Sequence, residues 1–290
     1  MFKDVFKTYI SMTKPRIVTM VVVTATWGYW LGVAGNEAPF RWDTFSALVV
    51  GLVLSAAGGA VLNNYLERDL DGSMDRTRGR ALPAGRVKPI NALLFGLYLV
   101  MAGLGLLLGS VGLLTAFLVL FTNFLYVLVY TPMKRLSTLN TTVGAIPGAI
   151  PPLAGWTAAT GQMGMEGLLL FLLLFVWQHP HFYAIAWMYR DDYARAGFRM
   201  VSVDDQTGVR TAMYTVIGSV ALMVTSVIPF MVGMSSLVYL ISALVMGVLM
   251  LVSSIVMMRA RDYRSARLVL KASVLYLPLL LVVIIIDTLL

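Results

Sequence analysis

The chain alternates long apolar runs with short polar segments. A helix needs about 20 mainly apolar residues to cross a bilayer. Nine stretches approach that length, centred near Ala25, Leu54, Val100, Leu120, Ile150, Leu174, Val220, Met246 and Val282. The turns "GSVG" and "VGMSS" join the third run to the fourth and the seventh to the eighth. Being short and uncharged, they predict tight helical hairpins. No polar segment is long enough to fold by itself. The expected fold class is therefore an all-α membrane protein, with residues 1–290 forming one polytopic domain.

Composition agrees: 59% of the residues are apolar and only 12% charged, against roughly half and a quarter in soluble domains. There is no cysteine, which excludes disulfides and thiolate metal sites. The opening "MFKDVFKTYISMTKPRI" is basic and amphipathic and leads directly into an apolar run. It has neither a cleavage site nor an Arg- and Ser-rich extension, so we expect no removable signal and a bacterial cytoplasmic membrane.

Basic residues set the orientation, because cytoplasmic loops are enriched in Lys and Arg. With the N-terminus cytoplasmic, 21 of the 22 basic residues fall inside; Arg41 alone falls outside. The net charge of +8 is then a topology signal, and its spread over separate loops argues against a nucleic-acid partner.

Polar residues invade the apolar runs at their inner ends. After the second run comes "NNYLERDLDGSMDRTRGR". Asn63, Glu67, Asp71 and Asp75 recur every four residues, one face of a helix if the helix persists. Such an all-oxygen stripe suits a hard divalent cation such as Mg²⁺, which binds through carboxylates plus substrate phosphates. Arg76 and Arg80 interleave with it, and arginine forks pair with phosphate. A salt-bridged loop anchoring the topology is the alternative.

The sixth run ends "FVWQHPHFYAIAWMYRDDYARAGFRM" and reaches the same face, so Asp191 and Asp192 should meet the first acid cluster there. Asp204 and Asp205 lie farther out and read as solvated loop. Gln178, His179 and His181 sit inside the run, where polar groups are costly and usually functional. Neutral imidazole is also a haem iron ligand. In the fourth run Asn123, Tyr126 and Tyr130 share a face, with Lys134 and Arg135 following at the inner surface. The fifth run, "VGAIPGAIPPLAGW", implies bent or closely packed backbone lining a cavity.

Together these segments resemble the UbiA-type intramembrane prenyltransferases. That family's first motif, Asn-x-x-x-Asp-x-x-x-Asp with an Arg-Thr and Leu-Pro-x-Gly tail, falls here on Asn63, Glu67, Asp71, Arg76, Thr77, Arg80, Pro83 and Gly85. Glu67 stands where Asp is commoner. "TKPRI", "YTPMKR" and "HPHFYAIAWMYRDD" are similar to the branch that farnesylates protohaem IX (haem b). The resemblance implies a nine-helix bundle open near the inner face. It implies Mg²⁺ held by Asn63, Glu67, Asp71, Asp75, Asp191 and Asp192, with diphosphate on Arg76, Arg80, Lys134 and Arg135. Farnesyl diphosphate and haem b would be substrates, with His181 and His179 toward the haem and Asn123, Tyr126, Tyr130 and Gln178 in the pocket. A haem A synthase or an oxidase assembly protein would receive the product. A quinone-precursor prenyltransferase is the competing enzyme. A transporter is the competing class, though it should carry its charges at a midplane site.

Overall fold

The computed structural model describes residues 2–36 and 39–287; the side chains of Phe2 and Lys3 lie outside that description. A short surface helix, α1 (Phe2–Met12), precedes α2 (Pro15–Gly35), α3 (Trp42–Asp71), α4 (Pro89–Ser110) and α5 (Leu113–Met133). Then come α6 (Asn140–Thr160), α7 (Gly164–Met188), two short loop helices α8 (Arg190–Arg195) and α9 (Val201–Asp204), and α10 (Val209–Met231), α11 (Leu237–Ala260) and α12 (Tyr263–Asp287). No strand occurs among the described residues.

Eight of these helices are long and apolar enough to cross a membrane. The fifth run of the sequence forms the 21-residue α6, which falls outside that set. Its glycines, prolines and threonines lower its hydropathy, and it is covered by neighbouring helices along most of its length. Helix α3 has 30 residues, about 45 Å at 1.5 Å per residue, against an apolar core of about 30 Å. Its last turns therefore extend to the interface, where charged side chains are tolerable.

Two seams without intervening side chains hold the bundle. A Cβ on Gly28 would lie 1.8 Å from the Pro152 carbonyl oxygen, and one on Gly155 would lie 1.9 Å from that of Ala25. Helices α2 and α6 thus meet backbone to backbone. Helices α3 and α4 do the same, with a Cβ on Gly58 falling 2.6 Å from the Gly96 carbonyl oxygen. Small residues drive helix association in lipid by this close approach.

The segments after α3 and α7 fold together over one end of the bundle. Leu82 and Val87 bury against Met12 and Val61, while Met74 buries among Ala196, Phe198 and Met200. That second cluster stitches the two loops together.

Asp205 departs from the solvated-loop expectation. It is only 7% exposed and caps the start of α10. Its Oδ1 accepts from the Gly208 N–H at 3.0 Å, and its Oδ2 accepts from the Thr211 N–H at 2.8 Å and the Thr211 hydroxyl at 2.9 Å. Free N–H groups at a helix start need such acceptors. Burial raises its pKa, but the hydrogen bonds from Thr211, Thr207 and Gly208 outweigh burial and hold the carboxyl below its ordinary value.

A depressed folded-state pKa means this stabilisation is complete above the unfolded carboxyl's pKa of about 3.9 and is lost as pH falls through the lower folded value. We expect Asp205→Ala to lower stability by about 1–2 kcal/mol at pH 7 and to flatten the acid dependence. Thermal unfolding in detergent between pH 7 and 3 measures both; an unchanged melting temperature at pH 7 refutes the cap.

Candidate active site

The C-terminal end of α3 carries Asn63, Glu67 and Asp71 on one buried face. Four-residue spacing puts them in a row, and each meets a partner from another segment. Glu67 accepts from the Lys134 ammonium at 2.6 Å. Asp71 takes both of its oxygens to Arg80 Nη1, at 2.9 and 2.8 Å. Asn63 accepts from Lys14 Nζ at 2.6 Å and donates to the Thr131 hydroxyl at 2.9 Å. The Asp71 side chain is 1% exposed and the Glu67 side chain 6%, so an unmatched charge at either position would be severely penalised.

Local backbone departures deliver these partners. The last turns of α5 are a π-helix over Phe124–Tyr130, a form common at functional sites. There the Thr131 hydroxyl donates to the Tyr126 carbonyl at 2.8 Å, and Lys134 reaches back under Tyr130 with its Nζ 4.7 Å from the ring centre. Lys14 adopts φ +51° just before Pro15. A non-glycine residue in the left-handed region costs about 1–3 kcal/mol and marks a position held for a purpose. Here the purpose is to direct the ammonium inward.

The two lysines differ in character. Burial, with the Arg80 charge next, pulls Lys14 down to about 7. Burial also opposes charging Lys134, but the Tyr130 phenol and the Glu67 carboxylate outweigh it and hold that ammonium above the usual lysine range.

The acidic stripe is shorter than its spacing implies. Helix α3 ends at Asp71, and Gly72 begins a turn in which the Ser73 N–H bonds the Leu70 carbonyl. Burial of Met74 in the inter-loop cluster carries the chain off the helical path. Asp75 therefore leaves the face of Asn63, Glu67 and Asp71. It lies 3.3 Å from Arg78 and 2.9 Å from Arg195.

Arg195 also holds Asp192, so the two acidic loops meet through one shared guanidinium. Asp191 diverges from its neighbour: its side chain is 86% exposed and lies 3.6 Å from Arg190, whereas that of Asp192 is 13% exposed. Among the described residues no three acidic or histidine side chains converge into a ready cation cage. Glu67 and Asp71 instead have a cation each, while Asp75 and Asp192 share Arg195.

The remaining candidates divide by location. Arg76 lies over the Tyr189 ring at 5.4 Å, while Arg135 is exposed. Tyr126 stacks on Tyr130 with ring centres 6.0 Å apart and sets its hydroxyl 3.5 Å from Lys14 Nζ. Asn123 donates to Ser55 at 2.7 Å, joining α5 to α3. The Gln178 amide donates to the Ala145 carbonyl at 3.0 Å, joining α7 to α6. Sequence reasoning placed Lys14 only as a topology charge and passed over Thr131. The signal for Lys14 was a lysine set directly before a helix-starting proline.

The histidines occupy another sector of α7. His181 stacks on Trp177 with ring centres 4.9 Å apart, and its Nδ1 lies 2.8 Å from the Ser273 oxygen. The Ser273 hydroxyl hydrogen goes to the Leu270 carbonyl at 2.8 Å, so Ser273 receives the Nδ1–H. That network assigns His181 a free Nε2 lone pair. His179 turns its Nδ1–H onto the Phe175 carbonyl of its own helix at 2.8 Å.

An apolar helical bundle with matched acids and bases at one end is the layout of an intramembrane enzyme for charged-headed lipids. Residues 21–277 match the UbiA prenyltransferase family. The chain belongs to that family. It is 44% identical over 285 residues to a protoheme IX farnesyltransferase of Solibacter usitatus, covering 96% of this chain and 98% of that one. Identity to a protoheme IX farnesyltransferase of Opitutus terrae is 41% over 286 residues, covering 98% and 95% of the two chains. Among solved structures, a UbiA homolog from Archaeoglobus fulgidus bound to GPP and Mg²⁺ superposes with a TM-score of 0.68 at 13% identity, covering 98% of this chain and all of the other. A structure of digeranylgeranylglyceryl phosphate synthase reaches 0.79 at 15% identity, covering 98% and 99%. At such identities these likenesses establish the fold.

Arg80→Leu would leave the Asp71 carboxylate buried without a counter-charge. We expect a loss of about 3 kcal/mol, the lower end of the range for orphaning a buried ion, because the Arg80 side chain is itself 30% exposed. Thermal unfolding in detergent with EDTA present reads this out. A variant as stable as the parent would show that the pair is incidental.

Proposed function

We propose that this enzyme transfers a farnesyl group from farnesyl diphosphate to a vinyl group of protohaem IX, with addition of water, releasing diphosphate. The observation that carries this reading is the buried Asn63, Glu67 and Asp71 row with its basic partners, in a chain similar over nearly its whole length to protoheme IX farnesyltransferases. The donor set fits Mg²⁺: three oxygen-bearing side chains on one face, free of thiolate and imidazole. Asn63, Glu67 and Asp71 would hold it, with Asp75 and Asp192, which share Arg195, as the further carboxylates. Bound there, Mg²⁺ supplies positive charge against the departing diphosphate.

The chain's own residues do the rest. Lys134 and Arg80 neutralise Glu67 and Asp71 while the site is empty of substrate and move onto phosphate oxygens when it arrives. Positive charge held at the leaving group favours breaking the allylic C–O bond, whose electron pair leaves with diphosphate. The terminal vinyl carbon of the haem then bonds to farnesyl C1. Water captures the resulting cation beside the porphyrin ring and loses a proton, leaving a hydroxyethylfarnesyl side chain. The Tyr126 and Tyr130 rings flank the allylic end and limit access of stray water. His181 presents its Nε2 lone pair to the haem iron.

We also propose that α6 is the ninth crossing, with the N-terminus and the site at the cytoplasmic face of a bacterial inner membrane. Its length suffices, and a helix surrounded by other helices does not need lipid-like hydropathy.

Asp71→Asn should reduce turnover at least about 100-fold, in line with loss of one preorganised electrostatic contact, while the protein remains in the membrane. Purified protein with haem b, farnesyl diphosphate and Mg²⁺ is assayed by the mass increase of the haem. Near-normal product from the variant removes Asp71 from the mechanism. A prenylated aromatic acid in place of a prenylated haem would move the enzyme to the quinone branch.

A further inference from the structure

Beside His181, the end of α7 and the inner half of α12 enclose an open groove of about 610 Å³. Met188, Leu270 and Val274 line it with apolar surface, Tyr189 forms one side, and Arg267 and Lys271 provide positive charge. These two basic residues are four apart and share a helical face. Neither forms an ion pair among the described residues. The groove therefore combines an apolar wall with two cations set between Tyr263 and Val274 along α12, and its complement is an apolar molecule with two anionic arms.

Three contacts tie the groove to the site. His181 lies seven residues before Met188, two turns away on the same face of α7. Ser273, which orients His181, hydrogen-bonds to groove-lining Leu270. Tyr189 forms part of the groove wall and also packs against Arg76 of the diphosphate loop. Along α12 the rise from Ser273 to Arg267 is roughly 9 Å at 1.5 Å per residue, within the span of one porphyrin.

We propose that this groove seats the propionate-bearing edge of the porphyrin acceptor, with Arg267 and Lys271 taking the two carboxylates. The assignment rests on the haem reading of the reaction above. In that pose the propionates face the aqueous inner surface, the iron lies toward His181, and the ring reaches past Tyr189 toward the diphosphate site. Ser273 is a positioning residue, since it touches the histidine rather than the substrate.

The test compares wild type with the Arg267→Gln/Lys271→Gln double variant, both full length in nanodiscs. Haem b and its dimethyl ester, which lacks both negative charges, are titrated by absorbance and then used as substrates. We expect the double variant to bind haem b about tenfold or more weakly, as loss of hydrogen bonds to charged groups implies. Its KM for farnesyl diphosphate should be unchanged. Wild type should prefer haem b to the ester, and the variant should lose that preference, since the two changes remove the same interaction. Equal haem affinity in both proteins overturns the proposal, as does an ester penalty that persists in the variant. A defect found only in nanodiscs of anionic lipid would also overturn it and make the groove a lipid seat. A wild type that binds haem but forms no farnesylated product refutes the reaction instead, and the binding titrations then decide the groove separately.

Discussion

The structure turns on the need to keep the buried carboxylates of α3 neutral. Glu67 and Asp71 sit at the end of a long apolar helix, where an unmatched charge would destabilise the fold. Their cations come from elsewhere: Lys134 from beyond the π-helical end of α5, and Arg80 from the loop after α3. Lys14, from the junction before α2, donates to the neutral Asn63 amide beside them. The left-handed backbone at Lys14, the π-helix and the folded-over loops are all means of bringing nitrogen to oxygen at one place. The resulting network gives each buried carboxylate of α3 its own cation.

Much of this was legible in the sequence because periodicity and lipid impose simple rules. The apolar runs located the helices, and the hairpins at "GSVG" and "VGMSS" formed as their length and lack of charge implied. Four-residue spacing placed Asn63, Glu67 and Asp71 together. It failed at Asp75, because α3 ends at Asp71 and the turn from Gly72 carries Met74 into a cluster with residues distant along the chain. Asp205 was misread for a related reason: its value as a cap depends on where α10 begins, and charge near a loop does not reveal that. Asn123 and Gln178 were expected in the substrate pocket, and each makes a hydrogen bond to a neighbouring helix. Spacing cannot tell a pocket wall from an interhelical bond.

Helix α6 shows a different limit. Hydropathy measures a helix against lipid, whereas this helix is solvated by other helices. Its prolines and glycines reflect close backbone contact with α2, and its low apolar content follows from that packing.

The same packing has a mechanical consequence. Helices α2 and α6 are joined without room for a side chain, and so are α3 and α4. Each pair behaves as a stiff blade. Lys14 stands at the root of the first blade and Asn63, Glu67 and Asp71 along the second, so the bond from Lys14 to Asn63 spans the two at the end that carries the carboxylates. Farther along, Ala25 and Tyr29 of α2, Leu48 and Leu52 of α3 and Ile150 and Leu153 of α6 share one buried core, so the pairs are fixed to each other by packing and joined at the charged end by single side chains.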